Sequence, residues 1–225
     1  SFLEADSNFL ASNVSLGRGN DFLVLNDGTQ GPVAIDTGSG KDTIQLKGDF
    51  TSTQFILDGR NDDWFPFSVG ADKVTTSPNA SFFDSQFISN NIGGDTLIFS
   101  NGTNFTGSSI QLGESYDWWY VPDSNGNDSV VFGSNSTIID STIRLGGGGD
   151  TLIFGQNTTY SNTLIDLGGD LNSDKIKFAA LTMDNKQQIT ITGGGAGDTL
   201  YIGATAYAYD TVRNDFYNGA TLWKS

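Results

Sequence analysis

The chain has 225 residues, of which 29 are glycine and only 36% hydrophobic, and it carries a formal charge of −15. That charge repels nucleic-acid phosphates and anionic membrane surfaces, and no apolar run approaches membrane-spanning length, so neither nucleic acid nor membrane insertion is expected. The absence of cysteine and histidine removes disulfides, thiolate zinc sites and the usual general base, and leaves oxygen-ligand chemistry of the calcium or magnesium kind.

In chain order, residues 1–13 (SFLEADSNFLASN) lie outside the repeat and read as an N-terminal cap or assembly segment; their start at Ser1 suits a processed or excerpted polypeptide. From 14 to 203 the chain repeats around eight aspartates: Asp21, Asp42, Asp72, Asp95, Asp128, Asp150, Asp174 and Asp198. Two residues after each stands an apolar side chain, in turn Leu23, Ile44, Val74, Leu97, Val130, Leu152, Ile176 and Leu200. Four residues after, seven of eight are apolar again, Thr76 being the exception. Such period-two alternation behind a turn residue describes a strand with one buried face.

Glycine stands two residues before six of the eight aspartates, at Gly19, Gly40, Gly70, Gly93, Gly126 and Gly148, where it permits positive φ in a tight turn. Successive aspartates are 21, 30, 23, 33, 22, 24 and 24 residues apart, which gives coils of roughly 21–24 residues with insertions at 60–71 and 114–127. In the three central repeats Phe105, Ile138 and Tyr160 share one offset, and Ile110, Ile143 and Ile165 another, each predicting a further inward layer. The fold class expected is all-β: a parallel β-solenoid of about eight coils, stacked about 4.8 Å apart. Residues 204–225 break the repeat again and read as a C-terminal cap or assembly segment.

The turns LGRGNDFLVL (16–25), TGSGKDTIQL (37–46) and LGGGGDTLIF (145–154) resemble the nonapeptides of the RTX, or haemolysin-type calcium-binding, family, with the pattern G-G-x-G-x-D-x-U-x. The resemblance spans most of 14–203 and implies Ca²⁺ held between coils by the eight aspartates together with Gly17, Gly19, Gly38, Gly40, Gly146 and Gly148, at one calcium-type turn per coil. The chain departs from the pattern at Asn172 and Ala196, where glycine would precede Asp174 and Asp198. The alternative role for the aspartates is to cap turns by accepting hydrogen bonds from nearby backbone N–H groups.

Both insertions are aromatic: Trp64 and Phe65 in one, Trp118, Trp119 and Tyr120 in the other. Three roles suit them: cover for the solenoid edge, a protein interface, or stacking on a polysaccharide. Ile98, Val131 and Ile153 take the outward position between two inward residues, as an apolar stripe for lateral packing or as β-formers on a partly covered face. Seven N-x-S/T sequons, including Asn79, Asn135 and Asn157, read as a polar ladder satisfying turn backbone, with glycosylation the alternative.

These features point to an extracellular or cell-surface structural protein, stabilised by calcium, that self-associates through its ends or a lateral face into a layer or filament. It is not expected to be an enzyme. The alternative is an adhesion module for carbohydrate or ice; a polysaccharide-processing enzyme, built on the insertion's carboxylates, ranks behind both.

Overall fold

The computed structural model describes residues 2–5, 13–57, 70–89, 93–113, 126–169 and 171–224. Strands β1 (Phe2–Ala5) and β2 (Val14–Ser15) precede the first anchor aspartate. Next come two coils of two strands: β3 (Phe22–Leu25) with β4 (Gly28–Asp36), then β5 (Thr43–Leu46) with β6 (Asp49–Leu57). The third coil has three strands, β7 (Lys73–Thr76), β8 (Ser81–Phe83) and β9 (Gln86–Ser89), and the fourth repeats it with β10 (Thr96–Phe99), β11 (Asn104–Thr106) and β12 (Ser109–Gln111). So do the fifth, with β13 (Ser129–Phe132), β14 (Thr137–Ile139) and β15 (Thr142–Arg144), and the sixth, with β16 (Thr151–Phe154), β17 (Thr159–Ser161) and β18 (Thr163–Asp166). The seventh holds β19 (Lys175–Phe178), the helix α1 (Met183–Gln187) and β20 (Ile189–Thr192). The eighth begins with β21 (Thr199–Ile202) and runs into β22 (Thr205–Asp210), β23 (Asp215–Asn218) and β24 (Thr221–Leu222).

The chain is thus nearly all β, and its strands pair in parallel except at the C-terminal end. The first strands of the coils form one wall, in the order β1-β3-β5-β7-β10-β13-β16-β19-β21. Its register places Leu23, Ile44, Val74, Leu97, Val130, Leu152, Ile176 and Leu200 side by side, the set that the period-two pattern marks as inward. A second sheet supplies two more walls, β8-β11-β14-β17 and β9-β12-β15-β18-β20, joined through β6, which pairs with β8 over Asp49–Thr51 and with β9 over Gln54–Leu57. Between those halves Ser52 takes a φ of 52°, so the strand turns the corner without ending.

Coils three to six turn their other two corners on a residue of left-handed conformation. Asn79, Gly102, Asn135 and Asn157 occupy the corner between the first and second walls; Asp84, Gly107, Asp140 and Asn162 occupy that between the second and third. Asn and Asp hold this conformation more readily than other L residues because a short polar side chain bonds locally, and here Asn157 Nδ2 donates to Asn135 Oδ1 at 3.2 Å. Of the sequon residues, Asn13, Asn101 and Asn127 accept hydrogen bonds from the main-chain N–H groups of Ala34, Ser134 and Gly149, as a backbone-satisfying ladder requires, whereas Asn135 and Asn157 bond to each other.

Inside, identical residues stack. The rings of Phe99, Phe132, Phe154 and Phe178 lie nearly parallel at centroid separations of 4.7, 5.5 and 4.8 Å. Phe50 over Phe82 and Phe55 over Phe87 do the same from the other walls, at 5.3 and 4.6 Å. Each such pair contributes roughly 0.5–1.5 kcal/mol beyond the area it buries. Thr76, the polar exception at a core position, accepts a hydrogen bond from the Ser100 N–H at 2.9 Å, while Ser100 Oγ donates to the Thr76 carbonyl at 2.6 Å.

The repeat changes in the seventh coil, where α1 stands in place of a second-wall strand. Thr182 caps it, its Oγ1 accepting from the Asn185 N–H at 3.2 Å. At the C-terminal end β22, β23 and β24 continue the first wall in antiparallel fashion, and Phe216 and Trp223 join the core cluster. Trp223 Nε1 donates to Asp215 Oδ1 at 2.9 Å, which satisfies the one polar atom of that buried indole.

Candidate functional site

The eight anchor aspartates form one column at the corner between the third wall and the first, each no more than 4% exposed. From Asp42 onward, each carboxylate bonds to the main chain one coil earlier. The Asp21 N–H donates to Asp42 Oδ1 at 2.7 Å, and the same bond recurs from Asp42 to Asp72, Asp72 to Asp95, Asp95 to Asp128 and Asp128 to Asp150, all at 2.7 Å. It continues from Asp150 to Asp174 at 2.8 Å and from Asp174 to Asp198 at 2.9 Å. Asp174 and Asp198, whose turns lack the expected glycine, are therefore full members of the column. The backbone-capping alternative is what this geometry displays, with the bonds running between coils and, at Asp198, also within the turn, where Oδ2 accepts from the Gly195 N–H at 2.6 Å.

One oxygen of each carboxylate suffices for that bond. Asp72 Oδ2 has the Thr37 hydroxyl as donor at 3.3 Å; Asp42 Oδ2 and Asp95 Oδ2 are buried with no well-formed hydrogen bond, although the Thr37 and Ser89 hydroxyls interact with the Asp42 and Asp95 carboxyls and favour their charged forms. Burial pushes the Asp72 carboxyl up to about 7 against the opposing Asp42 N–H, and the neighbouring Asp95 and Asp42 charges push the same way. Burial likewise pushes Asp128 up to about 9, with Asp150 and Asp95 adding repulsion. Asp42 and Asp95 are also raised, chiefly by burial. Burial of these carboxylates raises the cost of their charged forms, a cost that protons or a neighbouring cation would lower.

The donor set suits a hard divalent cation, because it consists of oxygens alone and includes the buried second oxygens of Asp42 and Asp95. Among the described residues no three acidic, His or Cys side chains converge, so an ion would have two successive aspartates and complete its shell with carbonyl or water oxygens. The glycine turns bring main chains of adjacent coils together: Ser39 N–H donates to the Gly17 carbonyl at 3.0 Å and Gly19 N–H to the Ser39 carbonyl at 2.7 Å. A Cβ on Gly38 would strike the Gly17 carbonyl oxygen, and one on Gly40 the Gly19 carbonyl. Positive φ holds at Gly17, Gly19, Gly38, Gly40, Gly146 and Gly148 but not at Gly93 or Gly126, where close approach alone excludes a side chain: a Cβ on Gly93 would meet the Gly70 carbonyl, and one on Gly126 the Gly93 main chain.

The corner between the second and third walls solves the same backbone problem with hydroxyls. Ser85 N–H donates to Ser108 Oγ at 3.0 Å and Ser108 N–H to Ser141 Oγ at 3.4 Å. Ser108 Oγ in turn lies 3.1 Å from the Phe82 carbonyl and 3.0 Å from that of Thr106; Ser141 and Thr163 repeat the pattern. The sequence reading missed this ladder, although a hydroxyl recurs thirteen residues after Asp72, Asp95, Asp128 and Asp150.

Ile98, Val131 and Ile153 stand in register on the outer face of the first wall, half-buried. Trp64, Phe65, Trp118, Trp119 and Tyr120 lie outside the described residues. No family model matches the chain, and no curated protein or solved structure is similar to it.

Proposed function

We propose that the chain is a calcium-stabilised, RTX-like β-solenoid that serves as an extracellular structural protein, assembling into a surface layer or filament and performing no catalysis. The observation that carries this reading is the column itself: eight buried aspartates in one register, seven of them with one carboxylate oxygen committed to the backbone of the preceding coil, and buried second oxygens at Asp42 and Asp95 to offer a cation. Successive aspartates and the turn carbonyls would hold the ions, at the modest affinity that extracellular calcium levels permit. Because the column carboxylates are buried, they are out of reach of a substrate, which suits a structural role for the column.

The test is a pair of melting curves near pH 8, one in millimolar calcium and one in excess EDTA with metal loss confirmed by elemental analysis, with magnesium as control. Several sites, each contributing about 2.7 kcal/mol at a hundredfold excess over Kd, predict a rise in Tm on the order of 10 °C or more in calcium. Coincident curves would remove calcium from the reading, and particles that stay monomeric by electron microscopy in calcium would remove assembly.

A further inference from the structure

The outward residues of the first and second walls carry opposite charge. On the first wall, from β3 to β21, they include Lys73, Lys175 and Lys177, all exposed, and no Asp or Glu. Lys47, exposed at the end of β5, adds a fourth cation at the corner toward the second wall. On the second wall and its corners the exposed charges include Asp27, Asp49, Asp84 and Asp140 against Lys47, with no Lys or Arg on the strands Ser81–Phe83, Asn104–Thr106, Thr137–Ile139 and Thr159–Ser161. Lys73, Lys175 and Lys177 form no ion pair among the described residues. In a chain of −15, a stretch of wall from β3 to β21 without an outward carboxylate, bounded by Glu4 on β1, is a local reversal of the global field.

Each wall also has apolar surface amid its charges. The first presents Ile98, Val131 and Ile153 on consecutive coils, between Lys73 on one side and Lys175 with Lys177 on the other. The second presents Phe83, 50% exposed, and the half-buried Ile139 in the same outward column. An apolar strip bordered by cations faces its complement in an apolar strip bordered by anions.

We infer that the first wall of one copy docks on the second wall of another copy of this chain, side to side. The inference rests on the assembly reading and names its interface. Because the two surfaces differ, the contact is heterologous, and repeating it extends a ribbon or sheet unless the rotation closes a ring. The occupant is a second copy because the chain's own second wall supplies both the required sign and the required apolar content.

The experiment uses two charge-reversed variants of the full chain in calcium at low salt, followed by sedimentation and electron microscopy. Variant one is Lys73→Glu, Lys175→Glu, Lys177→Glu. Variant two is Asp49→Lys, Asn104→Lys, Asp84→Asn, Asp140→Asn, with asparagine chosen at the last two because it keeps their left-handed corners. Each variant alone places like charges across the contact and is expected to associate at least about tenfold more weakly than the natural chain. An equimolar mixture restores opposite signs at every contact and is expected to recover assembly, which a merely misfolded variant could not do. Assembly of both variants at the natural strength overturns the interface and leaves the assembly reading standing; a natural chain that stays monomeric overturns both.

Discussion

The aspartate corner and the hydroxyl corner do one mechanical task with different chemistry. In each, a main-chain N–H of one coil donates to a side-chain oxygen one coil on: Asp72 to Asp95 at 2.7 Å, Ser85 to Ser108 at 3.0 Å. The serine then lies within hydrogen-bond reach of the Phe82 and Thr106 carbonyls, so its oxygen is satisfied both as acceptor and as donor. The carboxylate has no proton to give, carries charge into a buried site, and at Asp42 and Asp95 leaves an oxygen without a well-formed hydrogen bond. A hydroxyl would hold the coils together at lower electrostatic cost. Raised carboxyls at Asp42, Asp72, Asp95 and Asp128 tie the stacking of coils to pH, and on the proposed reading to cations, whereas the hydroxyl corner carries no charge to titrate.

The largest expected break between the corners is in pH dependence without metal. Asp72 and Asp128 are raised from an ordinary value of 3.8 to about 7 and about 9, so between those limits the folded chain keeps protons that the unfolded chain has released. Their stabilisation is complete below about pH 4 and is lost as pH rises through 7 and then 9. A shift of roughly three units corresponds to about 4 kcal/mol at full titration. Denaturant unfolding in EDTA should thus show stability falling from pH 5 to pH 9, with saturating calcium flattening or reversing the slope. A flat metal-free profile would mean that the column is solvated in solution.

A single substitution sharpens the contrast next. Asp95→Ala leaves the Asp72 N–H buried without its acceptor and should lower stability by about 1–3 kcal/mol in EDTA, and by more in calcium, where it also removes a cation ligand. Asp95→Asn keeps an acceptor and removes the charge. It should match or exceed the natural chain in EDTA at pH 8 and fall below it in calcium, as read from urea midpoints. If Asp95→Asn matches the natural chain in both conditions, charge at this level has no role.

The coil repeat was legible because an aspartate followed by two alternating apolar residues recurs against a changing background; even the lapse at Thr76 kept its place in the register. The column's membership was legible too, but not the direction of its bonds, because nothing in one turn reveals that its carboxylate reaches the N–H of another. Glycine misled in part. Gly93 and Gly126 share an offset with Gly19, yet they serve close approach of main chains rather than positive φ, and the two demands look identical in sequence. The hydroxyl corner went unread because Ser and Thr abound here, and Ser85, Ser108, Ser141 and Thr163 differ from exposed neighbours only in offset. The helix Met183–Gln187 was hidden for another reason: its stop in the repeat depends on a local cap at Thr182 and five residues, too few to show a helical period.

The smallest effect belongs to the hydroxyl corner and serves as the control on the aspartate column. Ser108→Ala removes the acceptor of the Ser85 N–H, a buried group, and should cost about 1–2 kcal/mol by the same desolvation argument. Ser108→Thr should be near neutral, since Thr163 and Thr53 hold equivalent corner positions and Thr163 Oγ1 bonds the Ile138 carbonyl as Ser108 bonds that of Phe82. Neither change alters a charge, so the loss from Ser108→Ala should be the same in calcium and EDTA and at pH 5 and pH 9. A loss that grows when calcium is removed would show that the two corners share strain through the stacked coils, and the aspartates could then no longer be treated as the separate, ion-responsive half of the design.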